Sequence, residues 1–233
     1  MIITYIGHSG FLIEWEDCYW LFDYYQGSIP ELDARKALLV FASHKHGDHY
    51  NPEIFKLQRP NQKVIYVLSS DIRRKEDMPD IISVTPSTEY ELVDGRQNKI
   101  RLRTLKSTDC GVAFLLSYQG RTIYHAGDLN LWVWKEETKQ YNNNMTANFM
   151  KEMKVLKGRD IDVAFVPLDP RLKETYAAGL DELLTAANVR YVFPMHCWEN
   201  YEIILQYKRE HERKPETRIM DIVKGGQQWC LEL

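Results

Sequence analysis

Three histidines and one aspartate fall within six residues, His44-Lys45-His46-Gly47-Asp48-His49, in a chain that has only seven histidines in all. His44 and His46 are two apart, so in an extended segment they point the same way and can reach one metal ion. Gly47 lets the chain turn, and Asp48 and His49 can then address a second ion. Imidazole and carboxylate are the ligands of divalent ions that activate water for hydrolysis. Asp48 is the candidate catalytic residue, positioning the nucleophile and handling its proton in addition to any ligand role. The competing explanation is a surface loop that happens to carry histidines, and three at this spacing argue against it.

These ligands need a scaffold. Residues 37–42 (ALLVFA) form a continuous apolar run suited to a strand buried on both faces, and the ligand stretch follows it directly. Asn51-Pro52 then reads as an N-cap and first helical residue, so the whole is a strand, a ligand loop and a helix start. Short β-branched or aromatic runs at 2–6, 11–15 and 19–22 are broken by turn residues, and 64–68 repeats the buried-strand pattern. Residues 100–105 alternate apolar and basic. Residues 112–118 and 122–125 flank Gln119-Gly120 as a hairpin. Helical spacing of Met145, Phe149, Met153 and Leu156 predicts a helix over 145–157. Strands follow at 161–166 and 189–193, with helices around Leu180–Ala187 and over 199–211, and a final pair of strands at 218–223 and 228–231. The early strands are too close together for parallel crossovers, which need a dozen or more residues. Two mixed β-sheets packed together with helices outside, an α/β (α+β) fold, account for this order, with one domain over residues 1–233.

The ligand stretch resembles that of the metallo-β-lactamase superfamily, and further matches run in the expected order along nearly the whole chain. Gly7-His8-Ser9-Gly10-Phe11-Leu12-Ile13-Glu14 resembles the family's first hairpin, Leu21-Phe22-Asp23 its following strand, His125-Ala126-Gly127-Asp128 the later strand, and Pro194-Met195-His196 the final ligand segment. The resemblance implies a four-layer αββα sandwich with the site at one edge between the sheets. It implies His44, His46, Asp48, His49 and His196 as ligands and Asp128 as a bridge between two ions. Asp23 would hold the ligand loop by hydrogen bonds. The N-terminal pattern looks most like the branch that contains L-ascorbate-6-phosphate lactonase. One departure stands out: the family supplies a third histidine to the first ion from the loop occupied here by residues 106–111, which has none. Asp109 is the best substitute, ahead of Ser107, Thr108 and Cys110. Three readings stay open: Asp109 as a ligand of a harder site, a single-ion enzyme, or a decayed site. The expected cofactor is one or two divalent ions, zinc first, with manganese or iron favoured by an oxygen-rich first site.

Around the ligands, His8 is a candidate to orient substrate, with a hydrogen-bonding role in its turn as the alternative. Trp132 and Trp134 follow Asp128 and could wall a substrate pocket or simply fill the core. Asp169-Pro170-Arg171 follows a strand, and Arg171 would contact a phosphate or carboxylate. The substrate is expected to be a small ester, lactone, amide or phosphoester. A binding protein without turnover and a small nuclease are the alternatives.

Composition narrows the field. With 44% hydrophobic and 27% charged residues, the chain is of ordinary globular type. A net charge of -3 makes nucleic acid an unfavoured partner. No window approaches the roughly 18 apolar residues of a membrane span. The four scattered cysteines and the N-terminal sequence predict a cytoplasmic protein with reduced thiols rather than a disulfide framework. The aromatic content leaves room for a homo-oligomer.

Overall fold

In a computed structural model, residues 1–57, 62–73, 80–211 and 214–232 are described. The N-terminal hairpin joins β1 (Ile2–Gly7) to β2 (Gly10–Glu14), with Gly7 opposite Gly10 and His8-Ser9 as the turn. β2 pairs antiparallel with β3 (Cys18–Phe22). β4 (Ala37–Ala42), β5 (Val64–Ser69) and β6 (Ile81–Val84) then add in parallel. The parallel pairs are possible because each strand is separated from the next by a connection long enough to cross over. The second sheet begins with an antiparallel run, β7 (Glu89–Val93), β8 (Lys99–Lys106), β9 (Val112–Tyr118) and β10 (Arg121–His125). It continues in parallel through β11 (Asp160–Pro167), β12 (Asn188–Met195) and β13 (Arg218–Ile219). α1 (Lys139–Leu156), α2 (Ala178–Ala186) and α3 (Glu202–Glu210) are the crossovers between those parallel strands. β14 (Gln228–Cys230) returns to β1, so each sheet has seven strands and both are mixed.

The two sheets meet through aromatic side chains of their inner faces. Phe11 packs on Phe165 at 4.4 Å, Phe41 on Phe114 at 5.5 Å and Trp20 on Tyr118 at 5.5 Å between ring centroids. Leu38, Val40 and Tyr66 point the other way, under Leu32, Ile54 and Ile72 of the connecting segments. β4 is therefore buried on both faces, which is why its sequence lacks polar alternation. Among the described residues, the layer over this first sheet is the 3-10 turn Pro52–Leu57 and irregular chain, whereas the α-helices cross over on the second sheet. The turn begins as Asn51-Pro52 predicts: the Glu53 N–H donates to Asn51 Oδ1 at 2.9 Å.

Four elements differ from the sequence reading. α1 starts at Lys139, six residues before the first apolar position, because Thr138 caps it by accepting from the Tyr141 N–H at 3.1 Å while its first turns lie in solvent. The strand expected over 218–223 is only Arg218–Ile219, and it lies in the second sheet while β14 lies in the first, so these do not pair with each other. β6 and β7 were not anticipated, being short and half-exposed. No helix among the described residues is long and apolar enough to cross a membrane.

Candidate metal centre

The loops that follow β1, β3, β4, β10, β11 and β12 all gather at one edge of the sandwich, joined by the β8–β9 loop. The ligand stretch enters this edge at Ser43, whose O accepts from the Val112 N–H at 2.9 Å. Gly127 passes so close that a Cβ there would lie 2.6 Å from Ser43 Cβ, and its φ of +50° suits glycine. His8, Asp23 and His196 also hold left-handed backbones, with φ of 53°, 40° and 64°. Such strain in residues other than glycine concentrates at functional sites.

Asp23 is fully buried beneath the loop and fixes it. Its Oδ1 accepts from the Ser43 N–H at 2.7 Å, and its Oδ2 accepts from Ser43 Oγ at 2.6 Å and His49 Nδ1 at 2.8 Å. Ser43 Oγ has given its proton to Asp23, so at 2.9 Å it accepts from His44 Nδ1. On the other side, Asp169 Oδ2 accepts from His196 Nδ1 at 2.8 Å. The network thus assigns the Nδ1 proton to His44, His49 and His196 and leaves each Nε2 lone pair facing inward. His125 differs. Its Nε2 donates to Ser9 O at 3.0 Å, its Nδ1 accepts from the Gly127 N–H at 3.2 Å, and it stacks on Phe22. Both nitrogens are occupied, so it is structural.

The inward-facing atoms form two clusters, each with its ligand atoms within 4.8 Å of one another: His44, His46, Asp109 and Asp128; and His8, Asp48, His49 and His196. Asp128 stands between them, 3.4 Å from His44 Nε2, 3.1 Å from His49 Nε2 and 3.4 Å from His196 Nε2. Asp109 Oδ2 lies 3.3 Å from His46 Nδ1, so the structure brings Asp109 beside the first cluster's histidines. His8 joins the Asp48 cluster, its Nε2 3.4 Å from Asp48 Oδ2. Four of these atoms, Nε2 of His8, His49 and His196 and Oδ1 of Asp128, are buried and make no well-formed hydrogen bond among the described residues. Buried polar atoms are almost always paired, and four orphans converging on one point fit a cation that would satisfy them all.

The electrostatics agree. Burial alone would strip the proton from His49, yet Asp128 and Asp23 outweigh it and raise its pKa well above the ordinary value. Burial would raise the Asp128 carboxyl, but His49, His196 and His44 hold it far below the carboxylate range. The His8 imidazole beside it, against the opposing effect of burial, holds the Asp48 carboxyl below the ordinary carboxylate range.

A cavity of about 250 Å³ opens over the clusters. Trp132, Trp134 and Arg171 line it with Thr108, Tyr141 and Met145. Trp132 donates Nε1–H to Asp128 O at 2.9 Å and stacks parallel to Trp134. Arg171 grips Asp169 through Nε and Nη2 and lies 4.5 Å over the Trp198 ring. Sequence reasoning missed two contributors. Asp169 reads in the sequence only as the residue that follows a strand ahead of Arg171, although its place after a strand resembles that of Asp23 after β3. Trp198, which donates to Asp169 Oδ2 at 3.2 Å, had no signal in the sequence.

The pattern of the beta-lactamase superfamily domain matches residues 2–196, spanning every candidate ligand. The chain belongs to this superfamily. Among curated members, it is 26% identical to a UPF0173 metal-dependent hydrolase of Carboxydothermus hydrogenoformans over 219 residues, 84% of each chain. It is also 26% identical to one of Nanoarchaeum equitans over 236 residues, covering 96% of this chain and 95% of that one. Among solved structures of the superfamily's fold, a metallo hydrolase of Ignicoccus hospitalis superposes with a TM-score of 0.63 at 18% identity, covering 100% of this chain and 98% of that one. A putative metal-dependent hydrolase of Parabacteroides distasonis gives 0.65 at 16% identity, covering 94% and 92%.

Proposed function

We propose that this chain is a metal-dependent hydrolase that acts as one domain on a small anionic substrate. The observation that carries the reading is the convergence of four buried donor atoms, Nε2 of His8, His49 and His196 and Oδ1 of Asp128, none in a well-formed hydrogen bond among the described residues, inside two four-residue clusters. Divalent ions held there would lower the pKa of water towards neutrality and polarise a carbonyl or phosphoryl oxygen. The protein's own groups do the rest. Asp23 and Asp169 hold the imidazoles with Nε2 inward. Asp48, kept ionised, accepts a hydrogen bond from the attacking water and aims it into the cavity. Asp128 lies between both clusters and would bridge them.

Arg171 supports an anionic substrate. Asp169 occupies its Nε and Nη2, leaving Nη1 to meet a carboxylate or phosphate. The tryptophan pair beside it would exclude water and pack on the substrate's apolar part. A phosphorylated lactone, like that handled by the branch the sequence resembles, fits this combination of cationic contact and electrophilic carbonyl. The test is turnover of a panel of lactones, esters and phosphodiesters after reconstitution with zinc or manganese. Activity that disappears in Asp48→Asn and Asp128→Asn is expected. No turnover on any of them in a fully loaded protein would leave a binding protein instead.

A further inference from the structure

The two clusters are chemically unlike. The first offers two imidazoles and two carboxylates, and the second three imidazoles and one carboxylate once His8 is counted. We propose that His8 is a metal ligand, so that the nitrogen absent from the β8–β9 loop is compensated at the other position. This rests on the metal-centre reading above and adds a ligand to it.

The geometry holds His8 for this role. It sits at the tip of the β1–β2 turn with a left-handed backbone, a conformation that histidine tolerates better than most residues. Its carbonyl accepts from the His196 N–H at 3.3 Å, tying the two ligand-bearing loops together. Its ring lies 4.1 Å from the His196 ring, with Trp198 at 4.6 Å and Tyr25 at 5.9 Å closing the other sides. The side chain is almost fully buried, and its Nε2 makes no well-formed hydrogen bond among the described residues. At 3.4 Å from Asp48 Oδ2 it is too far for a good hydrogen bond yet within reach of the same ion. His125, by contrast, spends both ring nitrogens on backbone groups, Ser9 O and the Gly127 N–H.

The consequence is an ordered, unequal pair of sites. The nitrogen-rich cluster takes the first zinc ion. The oxygen-rich cluster of His44, His46, Asp109 and Asp128 fills second and more weakly, and accepts harder ions such as manganese more readily.

Zinc X-ray absorption on the full chain loaded with one equivalent of zinc reads this directly, because it counts imidazoles. Three per zinc are expected, from His8, His49 and His196. Two would overturn the proposal while leaving the metal centre standing, since either cluster without His8 supplies two. A chain that binds no zinc would overturn both. His8→Gln retains a donor for Asp48 at similar reach but is a poor ligand, and His8→Asn suits the left-handed backbone. Both are expected to bind the first equivalent at least tenfold more weakly, with the count reduced to two. Unchanged affinity and an unchanged count in these variants would overturn the assignment.

Discussion

Asp23→Asn tests how the protein prepares its ligands. In the native site the hydrogen bonds to the Asp23 carboxylate all come from donors: the Ser43 N–H on Oδ1, Ser43 Oγ–H and His49 Nδ1–H on Oδ2. An asparagine has one oxygen and one NH2, so either orientation sets an NH2 against at least one donor. With the NH2 on the His49 side, the ring must accept at Nδ1 and carry its proton on Nε2, the atom 3.1 Å from Asp128. Its lone pair is then lost to the metal. With the NH2 on the other side, it opposes the Ser43 N–H and the loop shifts. A lost hydrogen bond to a charged group costs about 1.5–3 kcal/mol, and a stranded buried donor costs about 1–3 kcal/mol. The metal-free variant should therefore lose about 3 kcal/mol in chemical denaturation. Supporting partners of metal-bound histidines typically contribute about 10–100-fold to affinity, so zinc binding measured by chelator competition should weaken by that factor. Zinc affinity within about twofold of wild type would refute the claim that Asp23 sets the tautomers.

Asp109→Ala should cut the affinity of the second metal equivalent by more than about 100-fold, since a ligand rather than a supporting partner is lost. Because Asp109 is substantially exposed, the metal-free stability should change by no more than about 0.5 kcal/mol, which thermal denaturation checks. Arg171→Met should lower kcat/KM for anionic esters relative to neutral ones by about 10–100-fold, the equivalent of one charge-assisted hydrogen bond. An unchanged ratio would remove Arg171 from substrate recognition. Away from the site, Asp94 is buried in the β7–β8 turn. Burial would raise its carboxyl, but the hydrogen bonds from Tyr118 and Asn98 hold it below 3.8. A depressed carboxyl stabilises the fold above its unfolded pKa and ceases to do so as pH falls through the folded one. Wild type should therefore lose more stability than Asp94→Asn in denaturant titrations between about pH 5 and pH 2.

What could be read from the sequence was local, or repeated a local pattern. The ligand stretch from His44 to His49 needs only a strand end and a turn, and both are written in ALLVFA and Gly47. Asp128 and His196 were named through the family resemblance of short segments that follow apolar strands. The two-sheet architecture followed from the spacing of strands that were too close together to cross over. What the sequence withheld depends on contacts between distant segments. Asp169 matters because His196, 27 residues on, donates to it, and neither residue's neighbours record that pairing. His8 read as a residue that orients substrate or holds its own turn, because only the approach of β1 and β12 sets it against His196. The start of α1 was hidden because its first turns have no apolar face for periodicity to report. Asp109 could be ranked but not placed, since its approach to His46 depends on how the β8–β9 loop folds over Ser43.

The central claim is that these side chains exist to hold metal. Elemental analysis of the full chain, reconstituted with zinc and then desalted, tests it most directly. Two ions per chain are predicted, from the two donor clusters that Asp128 joins. A well-folded chain that retains none would contradict the account.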